Sequence, residues 1–318
     1  MKTILMPRAL GTFLSLFLLC SCATTPHSSA IVPASDLPAD VMMNKEAGRG
    51  GWLLVTVRLE SGEELPFLVD TGALITLFDK SLEPKLGQRL GSFKNESVLG
   101  KQETGIYAAP KLYLGNTPLM MTGTNIFTCD LKQISSASGH PVMGILGVDV
   151  LEHYCIQLDF KAGKMRFLDP NHLNVAELGR AFPLIFSNEG QSHRDRVNPF
   201  IHHSSLIGGN DTLLLIDTGF SGDSTMKPEL FRRQIQQQSG DTPAEKTALF
   251  RECVWDGRTY TNLKIEAWLV RSQKPNLLGL RFLARHLVTL DFPGRTMYLK
   301  QTSIGPLVDE VEEKHSAP

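Results

Sequence analysis

Two aspartates, Asp70 and Asp217, each begin an Asp-Thr-Gly tripeptide that follows an apolar, strand-like run. Carboxylates that lie within hydrogen-bonding distance repel one another when both are ionised, so such a pair holds one proton over a wide range of pH. The ionised member can take a proton from a water molecule that attacks a carbonyl carbon, while the protonated member donates to the developing oxyanion. The two acids therefore predict hydrolysis through one activated water, provided that the fold brings them together.

A single Asp-Thr-Gly can also be a polar turn after a strand, because all three residues are common in turns. This chain repeats more than the tripeptide, however. Gly147 and Gly279 each follow two apolar residues, and Leu-Asp-Phe begins eleven residues after each glycine, at Leu158 and Leu290. Equal offsets of this kind indicate a duplicated unit. The duplication favours a matched pair of acids over two unrelated turns.

Each half resembles a retropepsin-like aspartic protease domain, with a strand, Asp-Thr-Gly, a flap region and an apolar-apolar-Gly that opens a short helix. The resemblance covers residues 50–170 and 182–300. It implies an all-β fold with a few short helices, in which two closed β-barrel lobes form a pseudo-two-fold acid-protease fold. On this basis we expect an N-terminal lobe at 46–178 and a C-terminal lobe at 179–304.

The residues after each acid have expected supporting roles. Thr71 and Thr218 are expected to point away from the substrate and to join the two loops through their hydroxyl groups. Gly72 and Gly219 allow a tight turn and a close approach of backbone N–H groups to the carboxylates.

Backbone support for the carboxylates is also expected at Ala73 and Phe220, the third residues after the two acids. The small alanine agrees with the family pattern, whereas the phenylalanine departs from it, and its ring could crowd the cleft. A further acid, Asp223, could shift the pKa values of the pair. Three other acids, Asp149, Asp159 and Asp291, are interpreted as surface or turn residues.

The N-terminus predicts export and lipid attachment. A positively charged start precedes an apolar stretch at 9–19 that is too short to span a bilayer. Leu19-Cys20-Ser21-Cys22 resembles a bacterial lipobox, so residues 1–22 are interpreted as a lipoprotein signal peptide with Cys22 as the lipidated residue. Cleavage by an ordinary signal peptidase and an uncleaved anchor are the alternatives. Residues 23–45 are predicted to be a flexible tether. Ala23 after the cysteine favours, by resemblance, the periplasmic face of the outer membrane.

The composition of the chain limits the partners that it can bind. The chain has a net charge of −1 and 20% charged residues, which gives no electrostatic footprint for nucleic acid. The histidine spacings do not match a zinc site, and we predict no metal and no cofactor. Beyond the leader, Cys129, Cys155 and Cys253 allow one disulfide at most, and three free thiols fit equally well. Residues 305–318 are predicted to be an acidic tail.

Local patterns predict hairpins that deliver the two acids. We predict strands at 52–59 and 65–69 before Asp70, and strands at 200–207 and 212–216, joined by a turn at 208–211, before Asp217. Further strands are predicted at 108–114 and 263–270, and short helices at 147–153, 228–237 and 279–286. Flaps over the acids are expected at 90–106 and 238–255, where mobile surface loops are the alternative.

These observations favour an exported, membrane-tethered aspartic endopeptidase that acts on polypeptides as a monomer, with Asp70 and Asp217 as the catalytic pair. One alternative is a catalytically silent, peptide-binding or scaffolding lipoprotein with the same fold. Another is a dimer in which each acid pairs with its own equivalent in a second molecule.

Overall fold

The computed structural model describes residues 32–97, 100–186, 198–239, 247–267 and 276–308. Strands make up most of the regular structure, which confirms the β-rich fold class. The N-terminal half contains β1 (Val41–Met42), β2 (Leu54–Leu59), β3 (Glu64–Val69), β4 (Leu77–Asp79), β5 (Arg89–Ser97), β6 (Gly100–Ala108), β7 (Leu112–Leu114), β8 (Thr117–Pro118), β9 (Asn125–Cys129), β10 (Gly144–Leu146), β11 (Cys155–Asp159) and β12 (Lys164–Leu168). The C-terminal half contains β13 (Arg180–Pro183), β14 (Phe200–Ser205), β15 (Gly208–Asp217), β16 (Ser224–Met226), β17 (Thr247–Trp255), β18 (Arg258–Ala267), β19 (Asn276–Gly279), β20 (His286–Asp291) and β21 (Thr296–Gln301).

The helices among the described residues are short. They are α1 (Lys132–Ser138), α2 (Val148–Leu151), α3 (Pro228–Ser239) and α4 (Leu280–Leu283), with 3-10 turns at Ala34–Asp36, Lys80–Lys85, Pro170–His172 and Val175–Glu177. The three predicted helices are present as α2, α3 and α4, although α2 and α4 are shorter than predicted. The sequence analysis missed α1, because only Ile134 of its seven residues is buried and its sequence has no amphipathic period.

Two sheets repeat one pattern of strand pairing. The first sheet has the order β5-β6-β9-β4-β10-β3-β2-β7-β8, and the second has the order β14-β15-β19-β16-β18-β17. The run β6-β9-β4-β10-β3-β2 of the first sheet corresponds to β17-β18-β16-β19-β15-β14 of the second. Successive pairs in both runs are antiparallel, parallel, antiparallel, parallel and antiparallel. The sequence duplication is therefore a duplication of strand topology.

A third sheet, here called the shared sheet, joins the two halves in the order β1-β12-β11-β20-β21-β13. Its central strands, β11 and β20, carry the two Leu-Asp pairs and run antiparallel to one another. Each half contributes a hairpin and one short outer strand. The shared sheet therefore makes the two halves one continuous structure.

The apolar positions of the strands supply a core that spans both halves, here called the main cluster. In β2 and β3 the buried residues largely alternate with more exposed ones, which is the pattern of a sheet with one covered face. A separate first-half cluster lies between the first sheet and α1, and it includes Ala73, Leu131 and Ile134. A second-half cluster consists of Phe200, Leu215, Phe220 and Leu277.

Two local predictions were wrong. The turn predicted at 208–211 lies instead at Leu206 and Ile207, because these two apolar residues are buried in the main cluster and β15 begins at Gly208. The Ser205 hydroxyl donates to the Gly208 carbonyl at 2.7 Å and closes this turn. The strand predicted at 108–114 is interrupted between β6 and β7, where Pro110 has no backbone N–H for a ladder.

The predicted tether also needs correction. The signal peptide, Cys22 and residues 23–31 lie outside the described residues, but Val32 and Met43 are buried in the main cluster and β1 pairs with β12. The prediction of a flexible segment up to residue 45 was therefore wrong for residues 32–45, because this segment completes an edge of the shared sheet. Of the predicted tail, only 305–308 are described, and Leu307 packs against the main cluster. No helix in the described ranges is long and apolar enough to cross a membrane.

Candidate active site

Equivalent strands deliver the two acids. Asp70 directly follows β3, and its backbone N–H donates to the Leu146 carbonyl of the adjacent parallel β10 at 3.0 Å. Asp217 is the last residue of β15 and lies opposite Gly279 of the parallel β19. Each carboxylate therefore stands at the carboxyl end of a central strand.

The first turns of α2 and α4 support the two loops in the same way. The Val148 N–H donates to the Ala73 carbonyl at 2.9 Å, and the Leu280 N–H donates to the Phe220 carbonyl at 2.7 Å. The apolar-apolar-Gly motif of each half thus places a helix start directly against its own Asp-Thr-Gly loop. This contact explains why the helix begins directly after the glycine in both halves, at Gly147 before α2 and at Gly279 before α4.

Reciprocal threonine hydrogen bonds join the two loops. The Thr71 hydroxyl donates to the Ile216 carbonyl at 2.6 Å, and the Thr218 hydroxyl donates to the Val69 carbonyl at 2.7 Å. Each hydroxyl also accepts from the backbone N–H of the other threonine at 3.0 Å. All of these groups are buried, so the network cannot exchange its partners for water without opening the interface. The hydrogen bonds that were expected between the two loops are therefore present.

The glycines bring each acid against the opposite loop. Gly72 N–H donates to Asp70 Oδ1 at 2.8 Å, and Gly219 N–H donates to Asp217 Oδ1 at 2.9 Å. A Cβ atom on Gly72 would lie 2.8 Å from the carboxyl carbon of Asp217, and one on Gly219 would overlap the carboxyl group of Asp70 even more closely. Both positions therefore require glycine, and the two acids lie face to face within one chain.

Burial is the main influence on Asp70. Desolvation raises the pKa of the Asp70 carboxyl well above its usual range, the negative charge of Asp217 and a hydrogen bond to that residue raise it further, and the N–H groups of Gly72 and Ala73 oppose the rise. Asp70 has no exposed surface and Asp217 is 1% exposed. Asp70 Oδ2 has no hydrogen-bond partner among the described residues. The pair can therefore keep a proton on Asp70 at pH values where an ordinary carboxyl is ionised.

The residues three positions after the acids are packed differently. Ala73 is buried under α1 in the first-half cluster, whereas the Phe220 ring is buried in the second-half cluster, against Gly222 and Gly279. The four residues of the second-half cluster occupy positions equivalent to Leu54, Leu68, Ala73 and Ile145 of the first-half cluster. In the second half, the single Phe220 ring therefore occupies part of the space that side chains of α1 occupy in the first half.

Asp223 does not act on the catalytic pair as expected. Its Oδ2 accepts from Arg281 at 2.6 Å and from the Lys264 backbone N–H at 2.8 Å, and its Oδ1 accepts from Arg285 at 2.9 Å. Asp223 and Arg285 have no exposed surface. The expectation that Asp223 shifts the pair was wrong, because two arginines bind its carboxylate within the second half.

In the first half, Thr76 occupies the position equivalent to Asp223, and Asp149 occupies the position equivalent to Arg281. The Thr76 hydroxyl donates to Asp149 Oδ1 at 2.7 Å, and desolvation raises the pKa of the Asp149 carboxyl to about 7. The prediction of a surface or turn role for Asp149 was wrong, because this residue lies in α2 and its side chain is buried. Asp159 and Asp291 do have turn roles, since their Oδ1 atoms accept from the N–H groups of Ala162 and Gly294.

Asn198 is a site residue that the sequence analysis missed. Its Nδ2 donates to the carbonyls of Thr71 at 3.2 Å and Gly72 at 2.8 Å, although it lies in the other half of the chain. No local motif marks this asparagine, and only the strand order brings it to the loop.

The first predicted flap is a hairpin. Residues 90–97 lie in β5 and 100–106 lie in β6, while 98 and 99 lie outside the described residues. Phe93 of this hairpin contacts Phe127 with ring centroids 5.8 Å apart. The second predicted flap, 238–255, is not a hairpin of its own. It combines the end of α3, residues 240–246 outside the described ranges, and β17, which turns into β18 at Asp256 and Gly257.

Cys129, Cys155 and Cys253 are free thiols, so the single disulfide that the sequence allows is not formed among them. Among the described residues, no three His, Cys, Asp or Glu side chains are grouped so that they could hold a metal ion. No protein-family model matches this chain, and no curated protein matches it significantly.

Proposed function

We propose that this protein is an aspartic endopeptidase in which Asp70 and Asp217 activate one water molecule. The observation that carries the proposal is the face-to-face placement of the two carboxyl groups, with the pKa of Asp70 raised by burial and by the charge of Asp217. The reciprocal threonine bonds hold this placement without help from a second molecule. An intermolecular pairing of each acid with its own equivalent is not needed.

We infer the two roles from the raised pKa of Asp70, the member of the pair that we propose holds the shared proton. Asp217 takes a proton from the water as its oxygen bonds to the peptide carbonyl carbon, and Asp70 donates its proton to the carbonyl oxygen. The resulting neutral diol loses one hydroxyl proton to Asp70 as the C–N bond breaks. The proton held by Asp217 passes to the amine nitrogen that leaves. The enzyme forms no covalent bond with the substrate and ends with its original single proton on Asp70.

We further propose that the two halves are retropepsin-like lobes related by a pseudo-two-fold axis. The identical pairing order of six strands, the reciprocal threonine bonds and the central antiparallel pair of the shared sheet support this arrangement. The resemblance rests on the motifs and on this topology. The β5–β6 hairpin is the part of the first lobe that we propose as a flap, because it continues the sheet that delivers Asp70.

For cellular location we propose export and a lipid anchor on Cys22. The support is the lipobox-like sequence alone. Cys22→Ser should move the protein from the membrane fraction to the soluble periplasmic fraction of a Gram-negative host. Equal incorporation of a labelled fatty acid by wild type and variant would reject lipidation at this cysteine.

A second function, peptide binding without cleavage, is favoured by one specific observation. Neither acid has appreciable exposed surface, so the groups that must meet a substrate are covered. Under this alternative the pair is a structural relic, and an extended peptide binds elsewhere on the covering elements.

The decisive experiment compares purified wild type, Asp70→Asn and Asp217→Asn, each without residues 1–31, on a peptide library between about pH 3 and pH 8, the range in which a coupled pair keeps one proton. Each substitution should lower kcat by about 10²- to 10⁴-fold, because it removes an acid–base group. Asp149→Asn is the matched control, since it neutralises another buried carboxyl and should leave cleavage intact. Size-exclusion chromatography should show a monomeric active species.

Two results would reject the proposal. Full activity of either dyad variant would show that the pair is not the catalyst. Cleavage of no peptide by wild type, together with retained binding of an extended peptide, would support the binding function instead.

A further inference from the structure

Trp52 and Asn198 occupy equivalent positions beside the two acids. Each precedes an equivalent strand by two residues, since β2 begins at Leu54 and β14 begins at Phe200. These strands are the antiparallel partners of β3 and β15, which lead to Asp70 and Asp217. The duplication thus gives each half one such position, and the side chains at the two positions differ in chemistry.

Asn198 presents an unused acceptor. Its Nδ2 donates to the Thr71 and Gly72 carbonyls, and this pattern fixes the amide orientation, because a carbonyl oxygen cannot donate to two others. The residue is 2% exposed, and its Oδ1 has no hydrogen-bond partner in the ranges that the structure describes. The peptide group between Thr71 and Gly72, whose carbonyl accepts from Asn198, also donates its Gly72 N–H to Asp70 Oδ1. The unused oxygen is therefore held one peptide group away from the catalytic carboxylate.

Trp52 presents an unused donor. Its side chain is buried in the first-half cluster with Leu68 and Ala73, and Ala73 provides one of the N–H groups that interact with the Asp70 carboxylate. Trp52 is 5% exposed, and its Nε1–H has no hydrogen-bond partner among the described residues. Buried donors and acceptors are almost always paired in folded proteins, so each such group requires an explanation.

A bound peptide supplies the missing partners. Its backbone offers carbonyl acceptors and N–H donors in alternation, and the catalytic pair already requires that a peptide bond lies between the two halves. Building on the proposed endopeptidase function, we propose that Trp52 Nε1–H binds a backbone carbonyl and Asn198 Oδ1 binds a backbone N–H of the substrate, on opposite sides of the cleaved bond. In this arrangement Asp70 Oδ2, which also has no hydrogen-bond partner among the described residues, meets the carbonyl that reacts.

The difference between the two groups fixes the direction of the substrate. A site with the same group on both sides accepts a peptide in either direction, because rotation about the axis restores the same contacts. Here one side offers a donor and the other an acceptor. Reversal of the peptide places each group opposite a backbone atom that cannot pair with it. A buried group left unpaired costs more free energy than one hydrogen bond contributes, so the reversed direction is disfavoured.

The test is a pair of double-mutant cycles on one peptide that wild type cleaves. In the first cycle, each backbone N–H of the peptide is replaced in turn by an ester oxygen, and kcat/KM is measured with wild type and Asn198→Ala. In the second, each backbone carbonyl is replaced in turn by a thiocarbonyl, a weak acceptor, and kcat/KM is measured with wild type and Trp52→Phe. We expect one position in each series that costs wild type about tenfold and costs the variant little. The two positions should lie on opposite sides of the cleaved bond.

Trp255→Phe and Asn276→Ala are the matched controls. Both residues are 2% exposed, but Trp255 Nε1 already donates to the Ser204 carbonyl at 2.9 Å and Asn276 Oδ1 already accepts from the Lys227 N–H at 3.0 Å. Neither control should change the cost of any peptide replacement. If Asn198→Ala does not fold, Asn198→Ser takes its place, because the serine hydroxyl can still donate to the Gly72 carbonyl.

The outcomes separate this inference from the proposed function. Peptide cleavage by wild type with no coupled position, or with both coupled positions on one side of the cleaved bond, would overturn the role of Trp52 and Asn198 and leave the endopeptidase assignment standing. Cleavage of no peptide by wild type would overturn both.

Discussion

Gln157 lies directly opposite Thr289 in the shared sheet, and its Nε2 donates to the Thr289 hydroxyl at 3.0 Å. Each residue immediately precedes the Leu-Asp-Phe of its own half, so the strand pair places a residue opposite its own counterpart. This register supports the proposed pseudo-two-fold relation between the two halves. The reciprocal hydrogen bonds of Thr71 and Thr218 between the two Asp-Thr-Gly loops give the same support.

Removal of one threonine hydroxyl should loosen the catalytic loops. Thr71→Val leaves the Ile216 carbonyl and the Thr218 N–H without their partner, and we expect a loss of about 2–4 kcal/mol in the free energy of unfolding, since two buried groups become unpaired. Urea unfolding measures this loss. Thr225→Val is the matched control, because the buried Thr225 hydroxyl has no partner in the described part of the chain. Equal losses of unfolding free energy in the two variants would contradict a stabilising role for the reciprocal threonine hydrogen bonds.

Addition of one methyl group should displace the catalytic pair. Gly219→Ala places a Cβ against the Asp70 carboxyl group, so the carboxylates must separate and the shared proton is lost. We expect a loss of kcat of about 10²-fold or more, the contribution typical of acid–base catalysis. Gly305→Ala, where the nearest atom would lie 3.4 Å from the new Cβ, should keep its activity. A fully active Gly219→Ala enzyme would show that the two carboxyl groups do not meet during the reaction.

Asp149 should make stability depend on pH. Its pKa of about 7 in the folded protein exceeds the value of about 3.9 expected in the unfolded chain, so the folded state binds more protons between these values. The contribution of Asp149 to the free energy of unfolding is therefore most favourable below pH 4, falls as the pH rises to 7 and then levels off, with a total cost of about 4 kcal/mol. Asp149→Asn retains the acceptor for Thr76 and should abolish this fall.

Urea unfolding across that pH range measures the effect. Both proteins should carry Asp70→Asn, which stops self-cleavage and removes the titration of Asp70. Parallel stability curves for the two proteins would contradict the elevated pKa of Asp149.

The buried ion pair of the second half should be sensitive to loss of one charge. Asp223→Asn leaves Arg285 buried without a counter-charge, and we expect a loss of about 3–5 kcal/mol in the free energy of unfolding. The exposed pair of Lys85 and Glu63 provides the control, because Glu63→Gln should cost no more than about 1 kcal/mol. Similar losses in both variants, measured by urea unfolding, would show that Arg285 is hydrated or has another partner.

The sequence alone determined the β-rich class, the duplication and the identity of the paired acids. These features are local or periodic: a strand signal before each Asp-Thr-Gly, and equal offsets to Gly147 and Gly279, are visible without coordinates. The same information predicted that Thr71 and Thr218 form hydrogen bonds across an interface, because a repeated polar residue in a buried loop needs a partner.

Only the tertiary structure decided what lies around the acids. Asn198 reaches Gly72 across 126 residues, Asp223 binds two arginines that follow it by more than fifty residues, and Asp149 turns inward on a single helical turn. Side-chain burial and partners at such distances depend on strand order and packing. A local pattern cannot encode them, because the same residue types at the same spacing are exposed on one face of an element and buried on the other.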